Sequence, residues 1–213
     1  VPAGLQQGKP GTKKISLIVL TFGERFYNQT FIESVFRIRD LNIELIIVDN
    51  GSSSETRQYL KKLENIRNVK VILNKTNLGF PAGINRGIIE CTGDYILIAN
   101  NDIILTDGSI ERMLNIAESD VSVGIVGPMS NEVSGIQRDR EAKYTNLDEM
   151  REYAKMLQQK NQGKVMAFPR VVFLCTLIKR ELIEKLGGLD ERFSPGNYED
   201  DDYCLRAQLA GYK

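Results

Sequence analysis

The sequence predicts an α/β fold in which a mainly parallel sheet is flanked by helices. Short, nearly continuous apolar runs rich in β-branched residues recur along the chain, and such runs are typical of strands covered on both faces. They lie at residues 15–20, 45–48, 69–73, 95–99 and 123–126. Amphipathic stretches with helical spacing separate them, at residues 29–39, 56–63, 82–90 and 109–118. Strands that alternate with helices imply βαβ units, and therefore parallel neighbours.

The second half of the chain departs from this regular alternation. Residues 130–143 are polar and include a run of charges, which is typical of a solvated loop. A helix is predicted to begin near Asn146, with Glu149 as its capping-box partner. Its apolar stripe consists of Leu147, Met150, Ala154 and Leu157. The remaining predicted elements are a strand at 171–178 and helices at 180–186 and 201–209.

Composition and charge exclude several classes of function. The chain has 213 residues, of which 42% are hydrophobic and 26% charged, so it is long enough for one large globular domain that needs no disulfides. The 28 basic and 28 acidic residues cancel, which argues against a nucleic-acid partner because phosphate binding needs clustered Lys and Arg. Histidine is absent from the sequence, so triads, zinc sites and general bases that use it are excluded. Acid–base chemistry must come mainly from carboxylates.

The chain ends and the cysteines indicate the extent of the domain and its compartment. Residues 1–13 are polar and rich in Gly, Pro and Lys, which predicts a linker or a remnant of cloning, and residues 14–213 are assigned to the domain. The last residues directly follow a helical pattern, so we expect a domain whose C-terminal part is missing. Three cysteines without a CxxC pair predict buried, reduced thiols in a cytoplasmic protein. No apolar stretch approaches the roughly 20 residues of a membrane span, so no span is predicted in this fragment, and peripheral association with the inner face of the membrane stays open.

Polar motifs follow two of the predicted strands. Asp49 comes directly after one apolar run, and Asn100, Asn101 and Asp102 come directly after another. Ligands of open α/β sheets bind beyond the carboxyl ends of the strands. There, the Asp49 carboxylate can accept hydrogen bonds from a base or ribose, and Asp102 can hold a hard divalent cation that also takes phosphate oxygens. In isolation, each motif can equally be an ordinary turn with a helix-capping side chain.

Two further motifs complete the set. Residues 77–87 combine glycines, which let a backbone pass close to a ligand, with uncharged asparagines. Residues 199–202 place four consecutive acids at the start of the last helix, where they are favourable partners for the helix dipole. The functional interpretation is that crowding raises the pKa of one carboxyl group, which can then accept a proton near neutral pH. The residues alone leave both interpretations open.

In this order and spacing, the motifs resemble the bacterial, inverting family 2 glycosyltransferases. The resemblance covers about residues 14–213, with matching segments at 15–22, 48–52, 77–87, 93–102, 187–193 and 199–212. It implies the GT-A fold, a Rossmann-like, mainly parallel sheet flanked by helices. It also implies transfer of a sugar from a nucleoside diphosphate sugar, of the UDP or dTDP type, to a hydroxyl of a saccharide, lipid-linked or protein-linked acceptor. Cell-envelope polysaccharide synthesis is the corresponding cellular role.

The resemblance assigns roles to individual residues. Asp200 is the expected general base, with Glu199 beside it. The resemblance also implies one direct displacement that inverts the anomeric carbon. The family's Asp-x-Asp motif lacks one acid here, and Asp102 keeps the position of the ligand to Mg²⁺ or Mn²⁺. The expected donor-binding residues are Thr21, Glu24, Asp49, Asn77, Asn85, Arg86, Asn100 and Asn101. Many relatives carry a histidine after the final Gly-Tyr segment; this sequence ends at Lys213, so slow or absent turnover is expected of this fragment.

Other functions are less compatible with the sequence. A sugar-phosphate nucleotidyltransferase would need a Gly-rich basic loop after the first strand, and a dinucleotide-dependent dehydrogenase would need GxGxxG there. Residues 21–25 contain neither pattern. A non-catalytic module that binds sugar nucleotides or glycans, with a degenerate metal site, stays open as the alternative.

Overall fold

A mixed sheet of 6 strands forms the centre of the computed structural model, which describes Leu5, residues 11–23 and residues 25–213. The strands are β1 (Lys14–Thr21), β2 (Asn42–Asp49), β3 (Val69–Leu73), β4 (Tyr95–Asn100), β5 (Ile125–Val126) and β6 (Cys175–Lys179). Their order across the sheet is β3-β2-β1-β4-β6-β5. The pairings of β1 with β2 and β4, and of β2 with β3, are parallel, whereas β6 is antiparallel to both β4 and β5. The predicted α/β class and mainly parallel sheet are confirmed.

The helices lie between the strands as the alternating pattern predicts. They are α1 (Arg25–Arg37), α2 (Ser54–Leu63), α3 (Phe80–Ile88), α4 (Ser109–Ser119), α5 (Leu147–Lys160), α6 (Arg180–Leu186) and α7 (Glu199–Leu209). Asn146 caps α5 as predicted, because its side chain accepts the backbone N–H groups of Asp148 and Glu149. The Glu149 carboxylate accepts a hydrogen bond of 2.8 Å from the N–H of Thr145, which lies one residue before the cap.

Both faces of the sheet are covered, which explains why its strands are apolar almost without interruption. One buried cluster joins the sheet to α1, α2 and α4, and it includes Leu17, Leu45, Phe31, Leu60 and Met113. The other joins the sheet to α3, α6 and α7, and it includes Ile18, Ile46, Ile84, Leu182 and Tyr203. By contrast, α5 has no buried residue, and its predicted apolar stripe is only partly covered.

The cysteines and the chain ends bear on the remaining expectations. Cys91, Cys175 and Cys204 are buried free thiols, as predicted, and burial raises the pKa of Cys175 to about 12. Most of the predicted linker, residues 1–4 and 6–10, lies outside the described residues, while Leu5 packs against the core. Within the described part of the chain, no helix is long and apolar enough to cross a membrane.

Candidate active site

The carboxyl ends of β1, β2 and β4 lie side by side, and we call this side of the sheet the carboxyl edge. The strand register pairs Thr21 with Asp49, and Leu20 with Asn100. Three of the expected donor-binding residues, Thr21, Asp49 and Asn100, are therefore neighbours although they are far apart in the sequence. Glu24, which was expected beside them, lies outside the described residues.

Asp49 is the last residue of β2 at this edge and is fully buried, with 0% of its surface exposed. Its carboxylate accepts hydrogen bonds from Arg57 Nε at 3.0 Å, from the Ser52 N–H at 3.2 Å and from Thr21 Oγ1 at 3.4 Å. Arg57 also donates to the carbonyl of Asn74. Arg57 is a site residue that was not predicted from the sequence, although a buried carboxylate generally requires a charged or hydrogen-bonding partner.

A network of asparagine side chains shapes the adjoining loop between β3 and α3. Asn50 Nδ2 donates to the Gly79 carbonyl at 2.9 Å and to Asn77 Oδ1 at 3.1 Å, while Asn50 Oδ1 accepts from Asn74 at 2.9 Å. Asn77 Oδ1 also accepts the Gly79 N–H at 2.8 Å. The amide oxygen of Asn77 thus holds the loop, while the residue itself is exposed.

The other two expected residues of this segment lie on α3 itself. Asn85 binds the backbone of Leu189 twice, through Nδ2 at 2.8 Å and Oδ1 at 2.9 Å, and donates to Glu191 at 2.9 Å. The Asn85 side chain therefore links α3 to the segment after α6. Arg86 is exposed and has no hydrogen-bond or ion-pair partner among the described residues. The donor-binding roles of both residues stay predictions.

Of the three polar residues at the end of β4, Asn100 to Asp102, only the last carries a carboxylate. The N–H of Asn100 donates to the carbonyl of Leu174 at 2.9 Å, and Asn101 Nδ2 donates to Asn28 on α1 at 2.8 Å. Asp102 is exposed and has no hydrogen-bond or ion-pair partner in the described structure. The described contacts therefore leave the side chains of Asn100 and Asp102 free to bind a ligand, and Asp102 is the acid of the three.

The acidic cluster at the start of α7 is the second half of the site. Glu199 and Asp200 are 7% and 6% exposed. The guanidinium of Arg170 lies 3.7 Å from Asp200 Oδ2, through Nη2, and 3.0 Å from Asp201 Oδ1, through Nε. Tyr198 precedes the helix with a φ of 72°, a left-handed conformation that is unusual for a bulky residue and is often found at functional sites.

Two carboxyl groups of this cluster, those of Glu199 and Asp201, have raised pKa values, chiefly because they are buried. Burial raises the pKa of Glu199, the charges of Asp200 and Asp201 add to the rise, and backbone hydrogen bonds oppose it. Burial also raises the pKa of Asp201, against the opposing charge of Arg170. Glu199 Oε2 is buried without a hydrogen-bond partner among the described residues.

Contacts to two loops place α7 at the carboxyl edge. The carbonyl of Pro195, just before α7, accepts the N–H of Phe80 at 2.7 Å, and Ser194 Oγ donates to Leu78 at 3.2 Å. Arg170 precedes β6, whose first residue pairs with Ala99 near the end of β4. The buried acids therefore lie at the same edge as Asp49 and Asn100.

The described residues can hold a divalent cation only if a bound ligand supplies further oxygen atoms. No three His, Cys, Asp or Glu side chains among them are grouped so as to hold a metal. However, Mg²⁺ commonly takes one or two protein carboxylates and completes its shell with phosphate oxygens and water. The free carboxylate of Asp102 meets that requirement if a diphosphate supplies the remaining oxygens.

Solved structures with the same architecture include a mannosyltransferase. The mannosyltransferase PcManGT from Pyrobaculum calidifontis, in complex with GDP-Man and Mn²⁺, superposes with a TM-score of 0.72 at 17% identity, over 100% of this chain and 57% of that one. S. aureus TarS 1-349 in complex with UDP gives a TM-score of 0.65 at 18% identity, over 92% and 55% of the two chains. This similarity confirms the expected GT-A fold.

Sequence comparison gives the same assignment. The N-acetylglucosaminyl-diphospho-decaprenol L-rhamnosyltransferase of Mycobacterium tuberculosis is 21% identical over 94% of this chain and 72% of its own length. The chain covers a much smaller part of some other curated relatives. It matches 23% of the length of a Sinorhizobium fredii protein that is 27% identical to it. The model of the family described as "Glycosyl transferase family 2" matches residues 16–187. The chain therefore belongs to glycosyl transferase family 2.

Proposed function

We propose that this protein transfers a sugar from a nucleoside diphosphate sugar to an acceptor hydroxyl, with inversion at the anomeric carbon. The observation that carries the proposal is that a buried acidic pair, Glu199 and Asp200, lies at the same edge as Asp49, Asn100 and Asp102. Family membership supports sugar transfer in general, and this arrangement supports a division into a donor side and a base side.

The donor side lies at the ends of β1, β2 and β4. Thr21 and Asp49 form its floor near the nucleoside, and Asn77, Asn100 and Asn101 border it. The Asp102 carboxylate, with the donor's own diphosphate, would hold Mg²⁺ or Mn²⁺. When bound, such a cation offsets the negative charge that develops on the leaving diphosphate.

The base side is the start of α7. Asp200 accepts the proton of the acceptor hydroxyl, and the acceptor oxygen attacks the anomeric carbon from the face opposite the nucleotide. The bond between that carbon and the diphosphate breaks, and the nucleoside diphosphate leaves with the electron pair. We choose Asp200 as the base because contacts to Arg170 and to the Asp201 N–H at 2.9 Å orient its carboxylate, whereas one oxygen of Glu199 has no described partner.

The proposal predicts a selective loss of turnover when Asp200 is replaced. Asp200→Asn keeps the size of the side chain and removes its basicity, so kcat should fall roughly 10²–10⁴-fold with little change in donor affinity. Release of nucleoside diphosphate by the full-length protein is measured with a panel of UDP-, dTDP- and GDP-sugars and with saccharide or lipid-linked acceptors. Asp148→Asn, an exposed acid at the start of α5, serves as the matched control.

The same assay includes outcomes that contradict the assignment. Parental turnover by Asp200→Asn, together with a large loss in Glu199→Gln, would move the base to Glu199. Tight donor binding by the full-length protein without transfer or donor hydrolysis would favour a non-catalytic binding module instead.

A further inference from the structure

The segment between α5 and β6 exposes an unusual number of apolar side chains. Residues 161–169 are all exposed, and within them 63% of Val165, 69% of Met166 and 51% of Phe168 is open to solvent. On the preceding helix, 46% of Met156 is exposed. We call residues 155–168 the amphiphilic segment. A neighbouring group of exposed apolar side chains commonly marks an interaction surface.

The same segment carries positive charge that the fold does not neutralise. The sequence contains no Asp or Glu between Glu152 and Glu181, although acids and bases balance over the whole chain. Lys155, Lys160 and Lys164 are exposed and have no ion-pair partner among the described residues. A polypeptide segment that combines exposed lysines with exposed apolar side chains is complementary to an anionic lipid surface, where lysines meet headgroups and apolar side chains enter the interface.

The position of the segment connects it to the proposed site. Its C-terminal end leads through Pro169 to Arg170, which pairs with Asp200 and Asp201. Gln208, in the last turn of α7, donates to the Pro169 carbonyl. A surface that receives the amphiphilic segment would therefore lie next to the buried acids at the start of α7.

We propose that the amphiphilic segment docks the protein onto an anionic lipid bilayer. The bilayer takes up Val165, Met166 and Phe168 at the depth of the headgroups, and the three lysines bind its negative surface. This orientation presents the carboxyl edge to acceptors anchored in the membrane, a consequence that rests on the proposed function, whereas the docking itself does not.

Vesicle co-sedimentation tests the docking without any enzymatic readout. The parent protein should bind vesicles of phosphatidylcholine mixed with phosphatidylglycerol, bind phosphatidylcholine vesicles weakly, and be released by high salt. Met166→Ser with Phe168→Ser should weaken binding about tenfold or more because two interfacial apolar groups are lost. Lys160→Gln with Lys164→Gln should have an effect of about the same size on anionic vesicles alone.

Matched controls carry the same changes elsewhere on the surface. Val121→Ser removes an apolar side chain that is 87% exposed, and Lys61→Gln with Lys62→Gln removes two exposed lysines of α2; both should leave vesicle binding unchanged.

Equal losses in the controls, or no binding of the parent to anionic vesicles, overturn the proposal. So does a lipid-free dimer, seen by sedimentation velocity, that the serine variants dissociate, because a second copy would then be the occupant. Transfer to a water-soluble acceptor should be unaffected by the serine variants, which separates this test from that of the proposed function.

Discussion

Glu199 places a carboxyl oxygen in the interior without a described hydrogen-bond partner, which opposes folding whenever the group is ionised. Its pKa is raised in the folded protein above the usual 4.5, chiefly by burial. The folded state therefore binds more protons than the unfolded state as pH rises from the usual pKa to the raised one. Over that interval the free energy of unfolding falls with rising pH, and the stability present at lower pH is lost. A site that tolerates this cost is typical of functional rather than structural carboxylates.

Glu199→Gln should consequently stabilise the protein more at neutral pH than in acid. The amide keeps the shape of the side chain and cannot ionise, so the difference from the parent should be small near pH 4 and in favour of the variant near pH 8. Urea unfolding at the two pH values measures it. Glu184→Gln, at an exposed position on α6, should show no comparable pH-dependent gain. If Glu199→Gln destabilises the protein equally at both pH values, the carboxylate has a structural role.

At the scale of elements, Gly79 joins the start of α3 to the loop that leads into α7. Its φ is 82°, and an added Cβ would overlap Ser194 Oγ and lie 2.9 Å from Pro195 Cα. Its carbonyl also accepts from Asn50 at 2.9 Å. We expect the close approach of Gly79 to Ser194 and Pro195 to help fix the acidic start of α7 at the carboxyl edge.

Gly79→Ala should therefore cost more than backbone strain alone. Gly163 offers the comparison because its φ is 73° and an added Cβ would meet nothing within 4 Å. Gly163→Ala should cost about 1–2 kcal/mol from left-handed strain. Gly79→Ala should cost about 1–3 kcal/mol more, from overlap with its neighbours and from a backbone conformation (φ 82°, ψ 175°) that is essentially restricted to glycine. Chemical denaturation measures both values. Equal losses would show that the loop gives way freely and does not fix the position of α7.

The order of elements was predictable, whereas the direction of the last strand was not. The apolar runs and helical spacings of the sequence predict β1 to β4 and the helices between them, because each run repeats the period of its own structure. For residues 171–178 the same pattern predicts a strand without a direction. Only the pairing of β6 with β4 makes it antiparallel, and this pairing brings Arg170 back to the carboxyl edge.

For the molecule as a whole, donor and metal should bind as one coupled ligand. No three His, Cys, Asp or Glu side chains of the described residues are grouped to hold a metal, and Asp102 is the single acid directly after β4. The free protein should therefore hold Mn²⁺ weakly, and nucleotide should raise that affinity. Reciprocity then requires Mn²⁺ to raise nucleotide affinity by the same factor, roughly 5–150-fold for ordinary coupling energies. Calorimetric titration of UDP, dTDP and GDP, with Mn²⁺ and with chelator, identifies the nucleotide and measures the factor.

Asp102→Asn should reduce that factor to about one while leaving the metal-free nucleotide affinity unchanged. Asp107→Asn replaces another exposed aspartate of the same loop and should keep the parental coupling. If chelator has no effect on nucleotide binding by the parent, Asp102 is not a metal ligand.

The sequence by itself determined the fold class and the family and predicted a set of site residues at the carboxyl edge, because strand ends, acids and glycines are local features of the chain. Only the tertiary structure decided which of those side chains remain available. Asp49 is neutralised by Arg57, Asn85 is committed to Leu189 and Glu191, and Asp102 stays free. Pairing, burial and loss of solvent arise between residues that are distant in the sequence, so no local pattern encodes them. For the same reason, the sequence shows four adjacent acids, while the fold buries Glu199 and Asp200 and leaves one oxygen of Glu199 without a described partner.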